Sequence, residues 1–293
     1  MLTLPAFAKI NLGLKLVGRR PDGYHELSTV YQTLTLHDQL RMEKMRKAAV
    51  EVRVPGGGAP GGRQNLVYQA LVTLRQKLAI RDGAYVELEK TIPAASGLGG
   101  GSSDAAVALL GYLRLLRRKL PAKWLSELAA SLGADVPFFL VGGRALGKGR
   151  GDEISSLPDW PPRLCVVVAP GIGIRTREAY GWASLRLTKR LGDSIMTRFC
   201  RRARSSEWPT ALENDFEDIV FSRFPQLGRI KRKLQELGAE WASLSGSGSA
   251  IYGLFRTPLE AETAAAAVAA KGAVFVVQTL GRRNYKRLVR GES

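Results

Sequence analysis

Pro93-Ala94-Ala95-Ser96-Gly97-Leu98-Gly99-Gly100-Gly101-Ser102-Ser103-Asp104-Ala105-Ala106 is the stretch of this 293-residue chain that decides its fold. It follows an alternating, strand-like segment, Ala84–Lys90, and runs directly into an apolar helix predicted from about Ser102 to Leu116. Glycines let a backbone approach an anion closely, and successive N–H groups in such a turn point inward at phosphate oxygens. The helix N-terminus behind them adds about half a positive charge. Ser102 and Ser103 supply hydroxyls for a phosphate or for a bridging Mg2+. Two other phosphate motifs are excluded. Gly97-x-Gly99-x-x-Ser102 lacks the last glycine of the dinucleotide fingerprint. Gly142-Gly143-Arg144-Ala145-Leu146-Gly147-Lys148-Gly149 has glycine where a P-loop needs Ser or Thr, and no strong helix follows it.

Outward from the loop, three segments carry chemistry. In Ala8-Lys9-Ile10-Asn11-Leu12, strand alternation puts Lys9 and Asn11 on one face. A lysine and an amide inside an apolar strand are costly to bury unpartnered, so this face either lines a site or belongs to a half-exposed edge strand. In Gly133-Ala134-Asp135-Val136-Pro137-Phe138-Phe139, Asp135 either caps the segment or is a buried acid that orients or deprotonates a hydroxyl opposite a lysine such as Lys9. Ser243-Leu244-Ser245-Gly246-Ser247-Gly248-Ser249 is a hairpin turn by itself and gains meaning only beside the first loop.

The remaining segments mix strands and helices without strict βαβ alternation, which predicts an α+β fold. Strands are expected at 3–17, 28–43, 49–54, 164–169 and 273–279, and a strand–turn–strand at 241–255. Helices are expected from Asn65, at 122–132, near 176–187, 192–204, 211–222 and 225–237, and at 258–270. Pro158-Asp159-Trp160-Pro161-Pro162 is the best candidate linker. The formal charge of +18 calls for an anionic partner: nucleic acid, an acidic membrane surface or a phosphate-rich small molecule. Two cysteines and two histidines make neither a disulfide framework nor a zinc site, and no apolar run reaches membrane-spanning length. A soluble, cytoplasmic protein is expected.

Lys9-Ile10-Asn11, Gly18-Arg19-Arg20-x-Asp22-Gly23-Tyr24-His25, the 93–106 loop, Leu132–Phe139, Asn214-Asp215-Phe216-Glu217 and Ser245–Ser249 occur in the order found in the GHMP superfamily of small-molecule kinases, which the chain resembles over nearly its whole length. The Gly18–His25 segment narrows the resemblance to a branch that acts on a diphosphocytidyl ester in non-mevalonate isoprenoid biosynthesis. The resemblance implies two domains: residues 1–159, ribosomal-protein-S5-domain-2-like and ATP-binding, and residues 160–293, a ferredoxin-like α/β sandwich that binds substrate. It implies transfer of the γ-phosphoryl of ATP to the 2-hydroxyl of the methylerythritol moiety, with Mg2+ expected. Lys9 and Asp135 fall on the catalytic pair. The loop from Pro93 to Ser103 falls on the ATP-phosphate loop, with Asn65 and Lys90 near the nucleotide and Ser102 or Ser103 the hydroxyl for Mg2+. Tyr24 and His25 fall where cytosine is gripped, Tyr180 where an aromatic stacks on it, and Asn11, Thr176, Ser245, Gly246 and Ser247 on further substrate positions. Asp104 stands where some members carry Asn and receives no role. A monomer or weak homodimer is expected, with no membrane and no specific nucleic acid as partner. The rivals are a homoserine- or mevalonate-type kinase and, from another class, a basic nucleic-acid-binding module. The arginine clusters at 114–118, 198–204 and 282–290 lack the interleaved aromatics of an RNA platform.

Overall fold

The computed structural model describes residues 1–21, 23–184, 199–202 and 212–291. Its scaffold is one long hairpin. β1 (Leu2–Arg19) pairs antiparallel with β2 (His25–Met45) from Leu2↔Met42 to Arg19↔His25, with register shifts after Phe7, Asn11 and Leu16. Those irregularities bend the strands and let one hairpin serve several neighbours. On its other edge, β2 pairs with β5 (Arg144–Lys148), β10 (Ala273–Leu280) and β4 (Gly83–Glu89), in that order along its length. The sheet continues in the order β3 (Val50–Arg53), β4, β2, β10, β7 (Leu164–Ala169), β9 (Ile251–Phe255), β8 (Trp241–Leu244), while β6 (Glu153–Ser156) pairs only with β5. β10 is the joint: Ala273–Gln278 pair with β7, and Thr279 and Leu280 pair with β2.

Helices cover the sheet where their apolar faces demand it. Asn65 caps α1 (Leu66–Lys77) by accepting from Val67 N at 2.8 Å, and the helix buries Val67, Ala70, Leu71 and Leu74. α2 (Gly100–Leu115) is buried along Ser103–Leu109. It lies so close to the sheet that a Cβ at Gly111 would stand 2.8 Å from Met42 Sδ. α3 (Ala122–Leu132) and α4 (Phe138–Val141) complete this first core. A second core joins β7, β8 and β9 to α5 (Thr176–Ser184), α6 (Phe216–Arg223), α7 (Pro225–Glu236) and α8 (Pro258–Val268). α8 starts with a Thr257/Glu260 capping box. α9 (Arg282–Val289) returns to the first core, burying Tyr285 and Val289 there.

The mixed α+β architecture is the expected one, and α3 coincides with its predicted span. The helix expected near 192–204 falls outside the described residues except at 199–202. The β5–β6 hairpin and α9 were not expected. The P-loop look-alike is a turn running into β5, where Arg144 is fully buried, its guanidinium 3.5 Å from the Trp160 ring centroid and its Nε donating to Pro158 O at 2.6 Å. Asp159 accepts from the main-chain N–H of Arg144 and of Arg282, so the Pro158–Pro162 connection is packed rather than loose.

Candidate active site

The two glycine–serine loops meet. Gly97 and Gly99 have φ of +81° and +74°, values favourable to glycine, and Gly99 forms the N-cap of α2. A side chain at Gly97 would run into the Ser245 carbonyl. Ser245 Oγ donates to Gly97 O at 2.9 Å, and Ala250 N donates to Ser96 O at 2.8 Å. Asn214 holds the second loop: its Nδ2 donates to Leu244 O and Gly246 O, both at 2.8 Å, while its Oδ1 accepts from Phe216 N. What reads as a hairpin turn in isolation is therefore the opposite wall of the first loop.

Lys9 and Asp135 stand between them. Lys9 N donates to Leu98 O at 2.9 Å, which ties β1 to the first loop. Lys9 Nζ lies 3.3 Å from Asp135 Oδ2 and donates to Asn11 Oδ1 at 2.6 Å. Asn11 Nδ2 donates in turn to Thr29 Oγ1, whose hydroxyl donates to Gly13 O. This chain fixes the lysine, which is 3% exposed, and compensates its burial. The Tyr31 hydroxyl donates to Asp135 Oδ1 at 2.9 Å, and its ring stacks on Phe138 with centroids 4.7 Å apart. Burial first, and the Asp135 charge second, push the Tyr31 phenol well above its ordinary value, so it stays a donor. The Asp135 side chain is 31% exposed: one side is held by Lys9 and Tyr31, and the other is open to a cleft.

That cleft has a volume of about 820 Å³. Lys9, Asn11, Gly97, Ser102, Asp135, Gly246 and Ser247 line it from the loops, and Tyr24, His25, Thr176 and Tyr180 from its outer end. The His25 and Tyr180 rings contact each other, centroids 5.1 Å apart, and Tyr180 meets Phe216 edge-on. Tyr24 is 57% exposed on the rim, with the Arg150 guanidinium 5.2 Å from its ring centroid. Burial, then the nearby Arg19 charge, lowers the His25 pKa, so its imidazole is neutral at pH 7.

Of the predicted residues, Asn65, Lys90, Ser245 and, from the first loop, all but Gly97 and Ser102 stay outside the cleft lining. Asn65 caps α1, and its amide donates to Pro60 O at 2.8 Å. Lys90 lies behind the first turn of α2, bridging Asp38 and Asp104, the latter at 2.7 Å. Asp38 Oδ1 also accepts from Thr91 N and Ile92 N, so this carboxylate pins the strand just before the loop. Burial, opposed by the Lys90 charge, raises the Asp104 carboxyl to about 8. Ser103 is buried within α2 with its hydroxyl unpartnered, whereas Ser102 faces the cleft. Sequence reasoning missed Tyr31 and Asp38. Both lie on β2, where only the register against β1, β4 and the loop gives them meaning. Among the described residues, no three His, Cys, Asp or Glu side chains cluster as a metal site.

The model of the GHMP kinases N-terminal domain matches residues 65–143, and that of the GHMP kinases C-terminal domain matches 196–274. The chain is 44% identical over 259 residues to 4-diphosphocytidyl-2-C-methyl-D-erythritol kinase of Solibacter usitatus, covering 86% of this chain and 81% of that protein. It is 38% identical to the kinase of the same name from Geobacter metallireducens, over 94% of this chain and 97% of that one. Among solved structures, a 4-(cytidine 5'-diphospho)-2C-methyl-D-erythritol kinase superposes with a TM-score of 0.78 at 36% identity, covering 96% of this chain and 100% of that one. A homoserine kinase from Cytophaga hutchinsonii shares the fold, with a TM-score of 0.73 at 19% identity, covering 97% and 96%.

Proposed function

The chain belongs to the 4-diphosphocytidyl-2-C-methyl-D-erythritol kinases of the GHMP kinase family, and from that premise we propose how its cleft performs the reaction. The protein is a small-molecule kinase that uses ATP. Its acceptor is the 2-hydroxyl of the diphosphocytidyl methylerythritol ester. The single observation that carries the assignment of roles is the Lys9–Asp135 pair, 3.3 Å apart and open to the cleft on one side between the two glycine–serine loops.

Phosphoryl transfer needs alignment and charge neutralisation more than covalent help. The loop amides and the α2 N-terminus hold the triphosphate. The 2-hydroxyl oxygen attacks the γ-phosphorus, its proton passes to Asp135, and ADP leaves. Lys9, paired with that carboxylate at 3.3 Å, offsets charge on the group in transfer. Tyr31 fixes the carboxylate's orientation. Mg2+ entering with the nucleotide would be held on the protein side by Ser102, which lines the cleft, and would neutralise phosphate charge. Asn11, Thr176, Gly246 and Ser247 hold the substrate, Ser245 supports them by clasping the two loops through Gly97 O, and Tyr24, neutral His25 and Tyr180 recognise its cytosine. Asn65 and Lys90 act on the nucleotide from behind, by shaping α1 and the entry to α2. The chain divides after residue 159 into an ATP half and a substrate half, with α9 of the latter packing back on the first core, so the two ligands meet at their junction. No described helix is long and apolar enough to cross a membrane. A cytoplasmic monomer or weak homodimer completes the proposal.

A coupled ADP-release assay over a panel of the diphosphocytidyl ester, homoserine and mevalonate tests this directly. Turnover is expected with the first alone. Asp135→Ala is expected to lower kcat about a hundredfold or more while ATP binding survives. Near-normal turnover of that variant would remove the role, and equal turnover of homoserine would remove the substrate.

A further inference from the structure

A second concave site lies at the opposite end of α2. Its 16 residues place that end about 24 Å from the phosphate loop along the helix axis. The pocket there has a volume of about 660 Å³, and none of its lining residues belongs to the catalytic cleft. Ala79, Ile80, Leu115 and Leu116 supply apolar surface, and Lys44, Arg81, Arg117 and Arg118 supply charge. The only acidic lining residue is Asp82, already paired with Lys44 at 3.2 Å. The Asp82 carbonyl is fixed by Arg75 Nε at 2.8 Å and the Tyr112 hydroxyl at 2.6 Å. Among the described residues, Arg81, Arg117 and Arg118 have no carboxylate within ion-pair distance.

Cations at helix C-termini often serve only to cap the last carbonyls. Here the main chain already does so. Ile80 N donates to Arg75 O at the end of α1, and Arg118 N donates to Leu113 O at the end of α2, both at 2.9 Å. Each cap turns through a left-handed residue, Ala79 at φ +48° and Arg117 at φ +52°. Glycine is the usual occupant of that position. Arginine there is conformationally unfavourable and is not needed for the cap, so its guanidinium is free to meet a ligand.

We propose that this pocket is a second anion site, which takes a small ligand bearing two or more phosphoryl groups. Guanidinium forks match phosphate oxygens in pairs, and cations from three separate segments (Lys44, Arg81 and Arg117 with Arg118) surround more charge than one phosphoryl group carries. The concavity and volume fit a small molecule better than the flat, extended track of a nucleic acid.

The probe is inorganic pyrophosphate, titrated calorimetrically into the full chain with the catalytic cleft saturated by a non-hydrolysable ATP analogue and 150 mM chloride present. One pyrophosphate site is expected. Arg117→Gly keeps the left-handed cap while removing the guanidinium, and Arg81→Gln keeps a polar side chain while removing the charge. Each is expected to weaken pyrophosphate about tenfold, with the unfolding midpoint not lowered in Arg117→Gly. Absence of binding to the saturated enzyme, or unchanged affinity in both variants, would overturn the proposal. So would tighter capture of a short DNA duplex that both variants abolish, since the surface would then be a nucleic-acid track.

Discussion

Asp104 shows how one residue outside the cleft sets a measurable property. Lys90 offers one positive charge to two buried carboxylates, Asp38 and Asp104, and Asp104 Oδ1 has no partner. The surplus negative charge is relieved by a proton, consistent with the Asp104 carboxyl raised to about 8 from an ordinary value near 4. The native state therefore binds more protons than the unfolded chain between about pH 4 and pH 8, and stability falls as pH rises through that window. Asp104→Asn cannot ionise, so the difference in Tm, variant minus wild type, is expected to increase by about 3 °C or more between pH 6 and pH 9. A pH-independent difference in differential scanning calorimetry would contradict it. The slope is the informative quantity, because an unpaired amide adds a constant penalty at every pH. Lys9 and Asp135 were legible as polar residues set in apolar runs. Tyr31 was not, since its meeting with Asp135 depends on a hairpin register altered by bulges that no local spacing announces.

At the scale of elements, the phosphate loop is shaped by what its glycines permit. At Gly99 an added Cβ would stand 2.9 Å from the Phe139 ring and 3.0 Å from Lys9 Cγ, on backbone at φ +74°. Gly99→Ala is thus expected to shift Lys9 as well as strain the cap, lowering kcat about tenfold or more and Tm by a few degrees. At Gly101 an added Cβ meets nothing within 4 Å and φ is not positive, so Gly101→Ala should keep the wild-type Tm. Equal Tm losses in the two would show that space around Gly99 is not the issue. Elements with rich apolar periodicity, such as α1 and α3, were readable from residue spacing. α9 was not: Arg282–Val289 offers only Tyr285 and Val289 as buried contacts among charged neighbours. β5 was hidden by its glycine and by Arg144, whose burial depends on Trp160 beneath it.

Across the whole molecule, the excess positive charge does not mark the reaction centre: most of the described arginines lie outside the catalytic cleft, and one cluster lines the second pocket. The sharing of β10 between the two cores was likewise illegible, because strand pairing over more than 200 residues leaves no local trace. That sharing has a test. A fragment ending at Asp159 lacks β10 and Tyr285, whose hydroxyl donates to Phe139 O and whose ring packs on Gly142. The fragment is expected to show no cooperative thermal transition by circular dichroism, and a transition near that of the intact chain would refute this. The order of synthesis gives the same feature a temporal meaning. α9 leaves the ribosome after every other described element, yet it completes the core that carries the phosphate loop. The ATP half, translated before the second core, therefore closes only after that core's described elements have been made.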